Sequence, residues 1–179
     1  REGRAWLEAA LAADRGADPV VRARARNGLA NLTWTQGDLV AGAAYQEEAL
    51  PLFRAAGDRR GAAWALNDLA NITSERGDHA GAIAMYEESL ALSREMGAEW
   101  EIACALHNLG IAANQAGDQD RAAALFDDVL VRWVDLGDEV ARARSLDAAA
   151  HVARRRGDLD RALALAAQVR SLHARADFA

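Results

Sequence analysis

Residues 69–86 read LANITSERGDHAGAIAMY and residues 109–126 read LGIAANQAGDQDRAAALF. Superposed, they match Leu69 with Leu109, Ala70 with Gly110, Gly77-Asp78 with Gly117-Asp118, Ala82 with Ala122, and Tyr86 with Phe126. The Gly-Asp pair continues outward to Gly37-Asp38 and Gly157-Asp158, always at a spacing of 40 residues. A second series stands midway: Gly57-Asp58, Gly97-Ala98 and Gly137-Asp138, with Asp18-Pro19 where its first member is due. Two interleaved series in one register are the mark of a solenoid.

Each pair has a mechanical reading. Gly takes the left-handed position just past a helix end, where a Cβ costs about 1 kcal/mol. Asp then accepts from the free N–H groups that open the next helix. Asp18-Pro19 is an N-cap followed by proline at the first helical position. The spacing therefore predicts A helices over 19–36, 59–76, 99–116 and 139–156. It predicts B helices over 39–56, 79–96, 119–136 and 159–175. Residues 1–15 fit the B register one repeat earlier, with Trp6 in the aromatic column of Tyr86 and Phe126. Gln46 and Ala166 break that column. The chain reads as a single repeat array over 1–179: a partial repeat at 1–15 and helix pairs at 19–56, 59–96, 99–136 and 139–175.

Apolar positions follow the same period. Leu66, Leu69 and Thr73 form a stripe that Leu106, Leu109 and Ala113 repeat, and Leu32, Ile72, Ala112 and Val152 form a second column. Small residues (Ala30, Ala70, Gly110 and Ala150 in A; Ala82, Ala122 and Ala162 in B) let helices approach closely. Neither helix of a pair buries its stripe alone, so stacking supplies the core. Pro51 falls inside helix 39–56 and predicts a local bend.

Composition agrees and narrows the function. Hydrophobic residues make up 51% of the chain, too many for a disordered segment. The net charge of −6 argues against a general nucleic-acid binder. All 21 basic residues are Arg. No stretch approaches the ~20 apolar residues of a membrane span, and no leader pattern opens the sequence. The lone Cys104 precludes an internal disulfide framework; together these features predict a reducing, cytoplasmic setting.

The run of Leu, then Ala or Gly, then Gly-Asp, then Ala, then an aromatic resembles the tetratricopeptide repeat. Residues 69–86 and 109–126 carry the resemblance best. The period is 40 rather than the usual 34 residues, and Leu66, Leu106 and Leu146 stand where the family has tryptophan. This 40-residue variety resembles Pins-type polarity adaptors and bacterial regulators. The opening Glu2-Gly3-Arg4-Ala5-Trp6-Leu7-Glu8-Ala9-Ala10-Leu11 is also similar to the helical arm of bacterial STAND signal-transduction ATPases, many with a LuxR-type DNA-binding domain. The resemblance implies an all-α, right-handed solenoid of antiparallel helix pairs, with the A helices lining a concave groove.

The sequence offers no catalytic site. It lacks a Gly-rich phosphate loop with its Lys, a nucleophile elbow and a His-Glu-x-x-His motif, so no enzyme activity, cofactor or metal is expected. His107 and His151 lie one repeat plus one turn apart, but no third ligand accompanies them. Glu47-Glu48, Glu87-Glu88 and Asp127-Asp128 recur at the repeat period and read as a solvated stripe.

The A helices carry the stronger signal. At spacing 3, 4, 3 they present Arg24, Asn27, Asn31 and Trp34; Trp64, Asn67, Asn71 and Ser74; Cys104, His107, Ile111 and Asn114; Arg144, Asp147, His151 and Arg154. Asn is a poor helix-interior residue, so four at matching positions ask for a reason beyond propensity. Asn amides donate and accept at once, as an extended peptide backbone requires, and Trp adds stacking area. The competing reading is that these Asn only bridge neighbouring helices.

We therefore expect a module that binds a partner protein or extended peptide in the groove, as a regulatory arm of a larger signalling or transcription protein. Its contacts would come from Arg24, Asn27, Asn31, Trp34, Trp64, Asn67, Asn71, His107, Asn114, Arg144 and His151. A sensor for a small molecule or signalling peptide, and a structural dimerisation arm, are the alternatives. Neither nucleic acid nor membrane is an expected partner. Trp6, Leu7, Ala10 and Leu11 at one end, and Leu159, Leu163, Leu165, Val169, Leu172 and Phe178 at the other, leave neither end fully polar. That predicts an excised segment of a longer array, able to self-associate through its ends.

Overall fold

The computed structural model describes residues 2–13, 16 and 18–176. Among these every regular element is a helix: α1 (Glu2–Ala13), α2 (Pro19–Thr35), α3 (Leu39–Ala55), α4 (Arg59–Glu75), α5 (His79–Glu95), α6 (Glu99–Gln115), α7 (Gln119–Leu136), α8 (Glu139–Arg155) and α9 (Leu159–Ala176). From residue 19 onward each observed boundary falls within one residue of the expected one. The fold class is all-α, built of helix pairs.

The links work as the sequence predicts. All seven linker glycines, from Gly37 to Gly157, have φ between 61° and 90°. The Asp after six of them closes one helix and opens the next. The Asp38 backbone N–H donates to the Thr33 carbonyl at 2.9 Å, while its Oδ1 accepts from the Ala41 N–H at 3.1 Å. Asp58, Asp78, Asp118, Asp138 and Asp158 repeat both bonds. Ala98 holds the same backbone conformation without a side chain to cap α6.

The chain divides into two compact units, Arg1–Gly97 and Ala98–Ala179. In the first, α1 packs on α2, α2 on α3, α3 on α4 and α4 on α5, and the A helices α2 and α4 also touch. Phe53 fills the space between Ala49, Leu50, Ala62 and Leu66. Its ring passes so near Gly61 that a Cβ there would lie 2.3 Å from Cδ1, so this helical position requires glycine. In the second unit α6 packs on α7, α7 on α8 and α8 on α9, with α6 touching α8. Leu106, Phe126, Val129, Leu146 and Val152 are fully buried there. A Cβ at Gly110 would sit 3.0 Å from the Phe126 ring, which accounts for the small residue in that column.

Helix α3 continues through Pro51, which lies on its exposed side. Trp6, Leu159 and Leu163 are exposed, whereas Leu165, Val169 and Leu172 are buried; Phe178 lies outside the described residues. No described helix is long and apolar enough to cross a membrane.

Candidate functional site

In the first unit three A-helix asparagines, Asn27, Asn31 and Asn67, converge on two residues that the A-helix pattern does not single out, Gln46 and Asp68. Gln46 stands where the aromatic column places Tyr86 and Phe126, and it is fully buried. Its Nε2 donates to Asn27 Oδ1 at 2.6 Å and to Asp68 Oδ2 at 3.2 Å. Asn31 and Asn67 also hydrogen-bond the Asp68 carboxylate. One polar cluster therefore joins α2, α3 and α4. Burial pushes the Asp68 carboxyl up to about 6, against the pull of its three amide partners.

Asn71 sits one turn along α4 and accepts from the Tyr86 hydroxyl at 2.6 Å, tying α4 to α5. Trp34 donates its Nε1–H to Glu75 Oε1 at 3.0 Å, a further α2–α4 link. Arg24 is exposed and lies 3.5 Å from Asp58. Trp64 is 48% exposed, on the face of α4 that carries Asn67, Asp68 and Asn71. The carbonyl oxygens of Asn27 and Asn71 are thus committed within the fold. Their amide NH2 groups have no protein partner among the described residues.

In the second unit the face is built differently. His107 Nδ1 lies 2.8 Å from Ser145 Oγ, and the buried Trp133 donates its Nε1–H to the same oxygen at 2.9 Å. Ser145 Oγ thus accepts from the indole and hydrogen-bonds the imidazole, linking α6, α7 and α8. The His107 ring also meets Phe126 edge-on at 5.9 Å. Burial, with help from Arg144, lowers its pKa to about 4 and holds it neutral. Asn114 accepts from Arg155 through its backbone and side-chain oxygens, at 3.1 and 3.2 Å. Arg144 is exposed; His151 is exposed and pairs with Arg154 at 3.3 Å.

Other sequence features find plain places. Trp100 packs edge-on against Trp133 at 6.4 Å. Burial, then the nearby Glu101 and Asp138, push the Cys104 thiol up to about 12, so it is an unreactive wall residue. The paired acids of the B helices are exposed, and Arg partners engage several of them: Arg26–Glu48, Arg54–Glu88, Arg161–Asp127, and Arg132 with Asp128. No three His, Cys, Asp or Glu gather into a metal site among the described residues.

Asp68 and the role of Gln46 escape the A-helix pattern. The break in the aromatic column was the available signal: a buried amide in place of a ring demands polar partners.

The tetratricopeptide-repeat family profile matches residues 21–95, and a second profile of the same description matches residues 103–136. No curated protein matches the chain in sequence. Among solved structures, BtubC (BKLC) from P. vanneervenii is similar at 22% identity and TM-score 0.87, over 96% of this chain and 72% of that one. A Rap protein complexed with competence and sporulation factor is similar at 16% identity and TM-score 0.82, over 89% of this chain and 44% of that one. A putative kinesin light chain of nearly identical TPR-like repeats from Podosopora anserina is similar at 19% identity and TM-score 0.81, over 99% of this chain and 88% of that one. This chain thus spans less than half the length of the Rap protein, and at these identities the likenesses concern the fold. By its profiles and its 40-residue helix pairs, the chain belongs to the tetratricopeptide-repeat family.

Proposed function

We propose that this interaction module binds an extended segment of a partner protein along the A-helix face of its first unit, as a regulatory arm of a larger protein. One observation carries the reading: Asn27 and Asn71 are oriented by internal bonds to Gln46 and Tyr86 through their carbonyl oxygens, which leaves their NH2 groups for an incoming backbone carbonyl. Donors fixed in advance lose little entropy on binding. Trp64 offers stacking area beside them. A fold shared with a Rap protein solved in complex with competence and sporulation factor supports a partner-binding role. The role is recognition rather than catalysis.

Selection of a random dodecapeptide display library on the immobilised chain tests this. Recovered peptides should bind the wild type and lose about tenfold in affinity with Asn27→Ala plus Asn71→Ala, as two lost hydrogen bonds imply. Recovery of no binders, or equal binding to the variant, contradicts it.

A further inference from the structure

The Asp68 cluster is rich in acceptors and short of positive charge. The carboxylate is held by the amides of Asn31, Gln46 and Asn67, and no guanidinium is among the groups that act on it. Gln46 is fully buried, its single NH2 group serves both Asn27 and Asp68, and its Oε1 has no donor among the described residues. Buried carboxylates are ordinarily paired with a cation, and buried amide oxygens ordinarily have a donor. The basic residue in the A-helix pattern of α2, Arg24, reaches Asp58 instead. Asp68 is largely but not fully enclosed, half-buried as a residue. Trp64, one helical turn earlier on the same face of α4, exposes an indole of the kind over which cations settle. Charge deficit, an orphaned acceptor and an adjacent aromatic surface select one ligand chemistry.

We infer that Asp68 is a cation-accepting subsite for a basic side chain, arginine or lysine, of the bound segment. This rests on the peptide-binding reading above and specifies the partner beyond it. The guanidinium or ammonium supplies the counter-charge that Asp68 lacks, with the Trp64 ring beside it. The first unit then prefers a segment with one basic residue at a fixed place, flanked by backbone held on Asn27 and Asn71.

The test uses the library-selected dodecapeptides made synthetically, with each Arg replaced in turn by citrulline and each Lys by norleucine. Affinities for the wild-type chain and for Asp68→Asn are measured by fluorescence anisotropy, after cooperative melting shows that the variant is folded. One basic position should cost about tenfold or more on neutralisation with the wild type and nothing with Asp68→Asn. Selected peptides without a basic residue, or equal losses on both proteins, overturn the inference and leave peptide binding standing. Failure to select any peptide overturns both.

Discussion

The side-chain amide of Gln46 lies 3.2 Å from the Asp68 carboxylate, across the interface between α3 and α4. A ring fills the equivalent position in the next two repeats, as Tyr86 and Phe126. The exchange of an aromatic for an amide sets a buried polar contact between Gln46 and Asp68 where the next two repeats place a ring.

Asp68 makes stability depend on pH. Its carboxyl protonates near 6 in the folded chain, against 3.8 ordinarily. The stabilisation from the raised pKa is complete below 3.8 and is lost as pH rises through 6, because the folded state then carries a buried charge. A displacement of that size is worth about 3 kcal/mol at most. Asp68→Asn should therefore unfold at higher urea than the wild type at pH 7.5, with the advantage shrinking toward pH 4. A difference that does not change with pH contradicts the assignment.

His107 acts in the opposite direction. Its ring is neutral down to about 4, below the ordinary 6.5, so the unfolded chain takes up the proton first. Stability is complete above 6.5 and is lost as pH falls toward 4. The ring-proton resonance of His107 should titrate with a midpoint near 4 in NMR. A midpoint near 6.5 would show that the ring is not held between Ser145 and Phe126. Ser145→Ala should cost about 1–3 kcal/mol, since Trp133 Nε1 then loses its acceptor inside the core.

Helix α6 starts without a side-chain cap. Ala98 has φ −86° and ψ 83°, close to the −87° and 84° of Asp138, and Glu101 stands at the third helical position. Ala98→Ser completes a capping box and should add about 1 kcal/mol in urea denaturation. No gain would mean that the start of α6 is already satisfied by other donors and acceptors.

Pro51 leaves the Glu47 carbonyl without its helical donor, on the exposed side of α3. Pro51→Ala should raise stability by about 2 kcal/mol, after allowing for the entropy that proline removes from the unfolded chain. An unchanged or lower melting temperature contradicts that account.

The fold was legible because its instructions are local. Gly77 and Asp78 each act within a few residues, so their repetition locates every helix end. The site was less legible because it forms where three helices meet. Asn27 and Asn31 stand out in sequence as poor helix formers, but their own helix does not reveal that Asn27 accepts from Gln46 and that Asn31 hydrogen-bonds Asp68. His107 reads as a groove residue, while Ser145, Trp133 and Phe126 make it a packed link between helices. The acidic residues of the B helices read as bare solvated charge because the arginines that reach Glu88 and Asp127 lie 34 residues away.

Binding on the A-helix face of the first unit is tested most directly by NMR of the labelled chain with a library-selected peptide. Shifts are expected at the side-chain amides of Asn27 and Asn71 and at the Trp64 indole N–H, with the B-helix residues Glu47, Glu87 and Arg94 unmoved. Shifts confined to the B helices, with the three A-face groups unchanged, would contradict it.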